Sequence, residues 1–348
     1  MSSTVIQASK LTALVTALFA ARGMAPIDAA TVAANLVWAE LHGIASHGVS
    51  RVERYMRMID AGDLDPRGVP VLEEKGPSLV VLRANRAAGA VAMKVIVEEA
   101  VQRAKRTGSC IGLVAQTTHT GAIGQYAERL ASEGLAAIVL GAGPPMMAYH
   151  GARIPSLSTS PLAIGIPARN RPLVMDMATA AVALGRIRQS KDGTEGLPPG
   201  VALDAEGRPT TDPATASTAL PVGGAKGSGL SLLFECLTSL MVGVPILSLT
   251  IGPGGDGRHR HNAMVIAIDV ARVTDLATYH EEVARLAAVI KSLAPREGFE
   301  AIRLPGERGA ATAEERRHAG IPMAPGTWAS LQKSAAHLGI DMNDFRLT

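Results

Sequence analysis

The stretch GIASHGVSR, residues 43–51, sets a histidine four residues before an arginine. If a helix begins here with Ser46 as its N-cap, His47 and Arg51 share one face at its positive end, while Val49, Val52, Met56 and Ile59 form the buried stripe. An arginine grips a carboxylate through two parallel hydrogen bonds, and a neighbouring imidazole exchanges a proton with an oxygen on the adjacent carbon. The same residues also describe a polar helix start on the surface.

Other candidates are spread along the chain. Asp176 in PLVMDMAT is an acid inside an apolar strand. A buried carboxyl needs a partner, and orienting a histidine or capping a helix that starts at Thr179 would each supply one. His119 in TTHTGAIG sits at a strand-to-helix turn just ahead of Gly121, placed to contact a phosphate or amide or to cap the helix. GGAKGSG, residues 223–229, lacks Walker spacing but leaves Lys226 among glycines before an apolar helix, either as an anion site or as a solvated lysine beside a capped start.

Two further motifs carry less. LAAIVLGAGPP runs a buried strand into Gly141 and Gly143, but no helical period follows and no acid lies about 20 positions on, so it reads as a strand-end loop rather than a Rossmann fingerprint. His259 and His261 form an H-x-H pair with no cysteine cluster or HEXXH beside it, so solvent-exposed histidines are expected there and no metal site.

These residues need a scaffold, and 348 positions suffice for two lobes with an ample core. Residues 9–22, 28–41 with Asp28 as N-cap, and 47–61 ended by Gly62 read as three helices, with no strand pattern among them. From SLVVL onward short β-branched runs alternate with helices at 88–106, 122–133 and 179–189. A long Gly- and Pro-rich loop fills 190–224, then come a helix at 227–242, the strand MVIAIDV and a helix at 276–292. The resulting class is α/β (α+β), with a sheet domain over 71–275 and a helical domain from 1–70 and 276–348.

The net charge of +3 and the lack of a basic block with interleaved aromatics exclude nucleic acid as a partner. Arg83, Arg86, Lys94, Arg103, Lys105 and Arg106 cluster around one helix and read as its solvated face. Residues 11–20 resemble a signal peptide but repeat apolar residues at helical spacing, and the longest apolar run is broken by Glu235, Gly243 and Pro245, so no membrane span is expected. Cys110 and Cys236 read as free thiols of a cytoplasmic protein.

Taken in order, ELHGIASHGVSRVERY, THTGAIGQYAERLASEG, the PP followed by STSPLAIGIP, VMDMATAAVALGRI, LPPGVALDAEGRPTTDP, GGAKGSGLSLLFECL, and LPGERG with HAGIPM resemble the malate/L-lactate dehydrogenase family, which also holds sulfolactate, ureidoglycolate and diketogulonate oxidoreductases and cyclic imino acid reductases. The likeness runs along almost the whole chain. It implies a non-Rossmann NAD(P)-binding domain with a large mixed, mostly antiparallel sheet, a smaller helical domain, and a homodimer with its active sites near the interface.

The resemblance also implies roles. His47 would be the general acid/base, with Asp176 beside the nicotinamide. Ser46, Arg51 and Thr159 would bind a small carboxylate substrate, Arg51 through its carboxylate. NADH or NADPH would lie along His119, Gly121, Ala122, Thr159, Ser160, Asp176, Met177, Ala178 and Thr179, with Arg186 and Lys226 on its phosphates. The chain departs from the family pattern at Ala180, Ser160 and Ser228. The expected reaction moves hydride between nicotinamide and C2 of a 2-oxo or 2-hydroxy acid. A cyclic 2-imino acid is the alternative substrate, and a metal-dependent hydrolase using His259 and His261 a distant one.

Overall fold

Leu11, Leu14, Val15, Leu18 and Phe19 recur at helical spacing, and all five are fully buried along helix α1, Ala8–Ala21. In the computed structural model, which describes residues 4–182, 185, 196–252 and 260–345, α1 packs on α2, Pro26–Leu41. Pro26 opens α2, because its fixed φ suits the first turn and its missing N–H is no loss there. Asp28 is therefore not the N-cap; it lies inside the first turn, where its charge favours the helix dipole.

The expected third helix is shorter and differently built. Residues 45–51 form two 3₁₀ turns, Ala45–His47 and Val49–Arg51, and only then does α3, Val52–Asp60, begin. Ser46 caps nothing. Tyr55 and Met58 join Val49 and Val52 in the core, whereas Met56 and Ile59 are only partly buried, because the tighter turns rotate α3 relative to one continuous helix. Gly62 does follow it, with φ +71°.

A strand at the N-terminus was not legible. β1, Thr4–Ile6, pairs antiparallel with Ile321–Met323 near the far end of the chain. Ile6, Ile321, Met323, Leu331 and Ala335 share one apolar cluster with α1, α2 and α3.

The large sheet has seven strands: β2 Val71–Gly76, β3 Leu79–Arg83, β4 Ser109–Thr117, β5 Leu135–Ala142, β8 Leu162–Ile166, β9 Leu173–Met177 and β13 His261–Asp269. Their order is β2-β3-β4-β13-β5-β8-β9, and only β3 and β4 run parallel. Val80, Leu82, Val114, Val139 and Val265 bury one face against α4, Gly89–Thr107, and α5, Gly124–Ser132. Phe234 and Val242 help to cover the other face.

Between β5 and β8 lie two short strands, β6 Met147–Ala148 and β7 Pro155–Leu157. They join β10 Ala202–Leu203, β11 Pro209–Thr210 and β12 Thr218–Ala219 in a five-stranded sheet, so much of the expected loop is a small sheet whose short strands show no period. Residues 179–182 are not helical, since Ala180 bridges to Pro221; the rest of the helix expected at 179–189 falls outside the described residues apart from Gly185. The next helix, α6, spans Ala225–Glu235 and ends in a π turn over Cys236–Leu240.

A five-residue helix, α7, spans Leu247–Ile251; in the C-terminal part α8, Leu276–Lys291, buries no residue, and α9 spans Glu307–Ala319. Both cysteines are free. The expected solvated basic face is largely ion-paired: Arg103, 7% exposed, meets Glu99 and Glu74, Arg83 meets Glu73, and Lys105 meets Asp269.

Strand register brings the candidate residues to one end of the large sheet. Thr117, at the exit of β4, is opposite His261, at the entrance of β13; Ala142 closes β5 opposite Asn262, and Met177 closes β9 opposite Leu162. The loops after β4, β5 and β9 therefore open onto a common space.

Candidate active site

A cavity of about 390 Å³ occupies that space. Ser46, His47 and Arg51 line it from the helical side, and His119, Gly121, Ala122, Thr159, Asp176, Met177 and Ala178 from the sheet side. Gly185 lies against Ser46 at its edge, where any Cβ would overlap the serine side chain.

The double 3₁₀ turn sets His47 and Arg51. Arg51 Nε donates to the carbonyl of Ser46 at 2.6 Å, and Ser46 Oγ lies 3.0 Å from His47 Nδ1. This places the guanidinium and the imidazole in one cavity through turn geometry rather than through one face of an α-helix. Burial, and then the Arg51 charge, lower the His47 pKa to about 4, so the imidazole is neutral near pH 7.

His119 sits in the loop between β4 and α5 and does not cap that helix. Its Nδ1 accepts the Gly121 N–H at 3.3 Å and lies 2.7 Å from the Tyr55 hydroxyl. A backbone N–H only donates, so Nδ1 carries a lone pair, Tyr55 donates to it as well, and the ring proton resides on Nε2. Burial also drives the His119 pKa well below its ordinary value. Its ring stacks on His47 with centroids 5.5 Å apart.

Asp176 neither caps a helix at Thr179 nor is hydrogen-bonded to a histidine: its Oδ2 accepts the N–H of Gly124, the first residue of α5, at 2.7 Å. The carboxyl is reachable through the cavity, yet the protein around it raises its pKa to about 6, against the opposing pull of the Gly124 bond. It titrates close to neutrality and faces the same space as His47.

Not every expected residue lines the cavity. Ser160 and Thr179 are buried behind it: both the N–H and the hydroxyl of Thr179 donate to the Thr159 carbonyl, at 2.9 and 3.0 Å, and Ser160 Oγ pairs with Ser231 Oγ at 3.0 Å. Thr179 thus holds the Thr159 backbone, and neither Ser160 nor Thr179 is in the cavity lining. Ser160 has φ +22°, a left-handed backbone that costs energy in a non-glycine residue. Lys226 is exposed in the first turn of α6 and outside the lining. Ser228 is buried and accepts the His150 N–H at 2.8 Å. Arg186 and His259 fall outside the described residues.

His261 corrects the reading of the H-x-H pair. It is 9% exposed, lines the cavity, and meets His119 edge-on at 5.7 Å. No local pattern in the sequence signalled this: His261 stands at the entrance of β13, and it reaches the cavity through the pairing of that strand with β4. Arg54 and Arg308, neither expected, add two more cations to the lining. GAGPP behaves as a strand-end loop: Gly141, Gly143 and Pro144 border the cavity and the strand β6 follows, not a helix.

The family model of malate/L-lactate dehydrogenase matches residues 6–332. Malate dehydrogenase of Pyrococcus horikoshii is 30% identical over 92% of this chain and 91% of its own, and its structure superposes with a TM-score of 0.88. The (2R)-3-sulfolactate dehydrogenase (NADP(+)) of Chromohalobacter salexigens is 34% identical over 87% of this chain and 90% of its own. The structure of delta1-piperideine-2-carboxylate reductase from Pseudomonas syringae pvar. tomato has a TM-score of 0.82 at 27% identity, covering 96% of this chain and all of that one. The chain belongs to the malate/L-lactate dehydrogenase family and is an oxidoreductase.

Proposed function

We propose that the protein is a cytoplasmic, homodimeric NAD(P)H-dependent oxidoreductase that interconverts a small 2-oxo acid and its 2-hydroxy acid. The observation that carries this reading is the shared cavity of His47, Arg51 and Asp176, a proton-transfer group, a carboxylate clamp and a titratable acid in one enclosed space. The sheet domain, 71–275, binds the dinucleotide in a non-Rossmann manner, and the helical domain, 1–70 with 276–348, carries the substrate side.

The residues present fit the nicotinamide end of a dinucleotide. The volume lies in the range of small-molecule sites, roughly 300–1,000 Å³. Gly121 and Ala122, in the loop just before α5, keep that wall free of large side chains, and Thr159, Asp176, Met177 and Ala178 continue it. Ser160 and Thr179 act behind Thr159. Arg186 and Lys226 take the phosphates, Lys226 from outside the cavity lining. When bound, the nicotinamide supplies or accepts the hydride.

The chain's own residues do the rest. Arg51 fixes the substrate carboxylate so that C2 faces the sheet wall, with Ser46 at its side. His47, held neutral near pH 7 by burial and then by the Arg51 charge, is ready to take the proton of a 2-hydroxy acid. For reduction it must be charged; burial opposes this, and the substrate carboxylate favours it by offsetting the smaller, Arg51 part of the depression. His47 then gives its proton to the carbonyl oxygen as charge develops there. Arg54 and Arg308 reinforce the preference for an anion.

A second reading draws on the piperideine-2-carboxylate reductase likeness: the same cavity reduces the C=N bond of a cyclic 2-imino acid. An imine that arrives protonated needs no acid from His47. One panel tests both readings: NADH and NADPH oxidation by wild type and His47→Ala against pyruvate, oxaloacetate, sulfopyruvate and a cyclic imino acid. Keto-acid turnover that vanishes in His47→Ala supports the first reading. Turnover confined to the imine and retained in the variant supports the second.

A further inference from the structure

Glu40, in the last turn of α2, is 4% exposed and lies outside the cavity lining. A carboxyl in such a place is costly unless it is fully partnered. Its carboxyl is hydrogen-bonded to the double turn that carries His47 and Arg51. Oε1 accepts the N–H of Val49 at 2.9 Å. A Cβ on Gly48 would overlap Oε1, Cδ and Cγ of Glu40, so the carboxyl fills the underside of the turn at the junction of its two 3₁₀ segments. Gly48 has φ −88°, a value open to any residue, so space and not backbone freedom requires glycine there.

The other side is braced as well. Arg316, on α9, donates to the Glu40 carbonyl oxygen, and its charge also bears on the carboxyl. Burial dominates nonetheless and pushes the Glu40 pKa up to about 7, which makes a neutral side chain compatible with this site.

The geometry points to Glu40 as a positioning residue: its side-chain oxygen holds the Gly48–Val49 peptide so that His47 and Arg51 face the cavity together, while Glu40 itself touches neither substrate nor cofactor. This rests on the roles proposed above for His47 and Arg51. What matters is the placement of an acceptor, not its charge. Misplacing reacting groups by ~1 Å costs on the order of 10²-fold.

Two substitutions separate placement from charge. Glu40→Gln keeps the length and the acceptor but removes the charge; Glu40→Asp keeps the charge and withdraws the acceptor by one methylene. For each, kcat and KM on the active 2-oxo acid are measured beside NADH affinity by fluorescence. Glu40→Gln is expected within ~3-fold of wild type in kcat/KM, and Glu40→Asp reduced by ~30- to 100-fold through both kcat and KM, with NADH affinity within ~2-fold. An Asp variant as active as wild type overturns the inference. So does a Gln variant as impaired as Asp, which would show that an acceptor in place does not suffice, or an Asp variant that loses NADH binding in step with activity.

Should Glu40→Asp fail to fold, Gly48→Ala displaces the turn from the opposite side and is expected to show the same loss with NADH binding kept; full activity there also overturns the inference. His47→Ala in the same assay keeps the two ideas apart. If it remains active on the keto acid, the reading of the site fails. If it is inactive while Glu40→Asp is unimpaired, only the positioning role fails.

Discussion

The two walls of the cavity are built by different means. The helical wall comes mostly from one short stretch of chain, Ile44 to Arg54, held by its own turn contacts and by Glu40 beneath, with Arg308 added from α9. The sheet wall is gathered from strand ends and loops at residues 119–123, 141–144, 146, 158, 159, 161, 176–178 and 261, brought together by register. One group from each wall is perturbed in the opposite direction: burial keeps His47 uncharged by lowering its pKa and resists the charge on Asp176 by raising its pKa. The local wall carries His47, Arg51 and Arg54, and the assembled wall carries Asp176 beside His119 and His261.

Substitutions divide along that line if the comparison is sound. The largest effect is expected for His47→Ala: turnover on 2-oxo acids should fall by ~10² to 10⁴ with NAD(P)H affinity nearly intact. Equal losses of turnover and cofactor binding would show that the walls are not separable. Next comes Arg51→Lys, where a point charge replaces a bidentate fork; the KM for the 2-oxo acid should rise by ~10- to 100-fold with kcat less affected. A change confined to kcat would remove Arg51 from the carboxylate.

Acid stability sharpens the comparison. The His47 pKa drops from 6.5 to about 4 on folding, so the unfolded chain takes up the proton first and the His47 contribution is lost as pH falls from 6.5 towards 4. The Asp176 pKa rises from 3.8 to about 6, so its contribution is full below 3.8 and is lost as pH rises through 6. Between pH 4 and 6 the two act with opposite sign. Relative to wild type, His47→Ala should flatten the fall in melting temperature on acidification by roughly 2 °C, and Asp176→Asn should steepen it by less, because water reaches the Asp176 side chain and screens its charge. Both variants moving in the same direction would contradict the assigned shifts. The smallest effect is expected for the exposed Lys226: Lys226→Ala should weaken NAD(P)H by up to ~5-fold and leave the KM for the 2-oxo acid unchanged. The reverse pattern would place Lys226 with the substrate.

The same contrast explains what the sequence made legible. His47 and Arg51 stand four residues apart, so their meeting needed only a local turn, even though the turn proved to be two 3₁₀ segments and Ser46 no cap. The long strands and helices α1, α2 and α4 were visible because their apolar periods extend over several turns or pairs. His261 was hidden because its approach to His119 depends on the antiparallel register of β13 with β4, which no local pattern encodes. Asp176 was singled out correctly as an acid in need of a partner, but the partner, Gly124, lies 52 positions away. Strand β1 escaped for a similar reason, since three residues become a strand only when the far end of the chain lies beside them.

The most direct measurement is a crystal structure with NADH and a non-reacting 2-oxo acid analogue such as oxamate. The account predicts the analogue carboxylate in a two-bond grip from Arg51, the His47 ring nitrogen about 3 Å from the carbonyl oxygen, and the nicotinamide against Asp176 and Ala122. An analogue bound away from both side chains, or a nicotinamide lying outside this cavity, would contradict it.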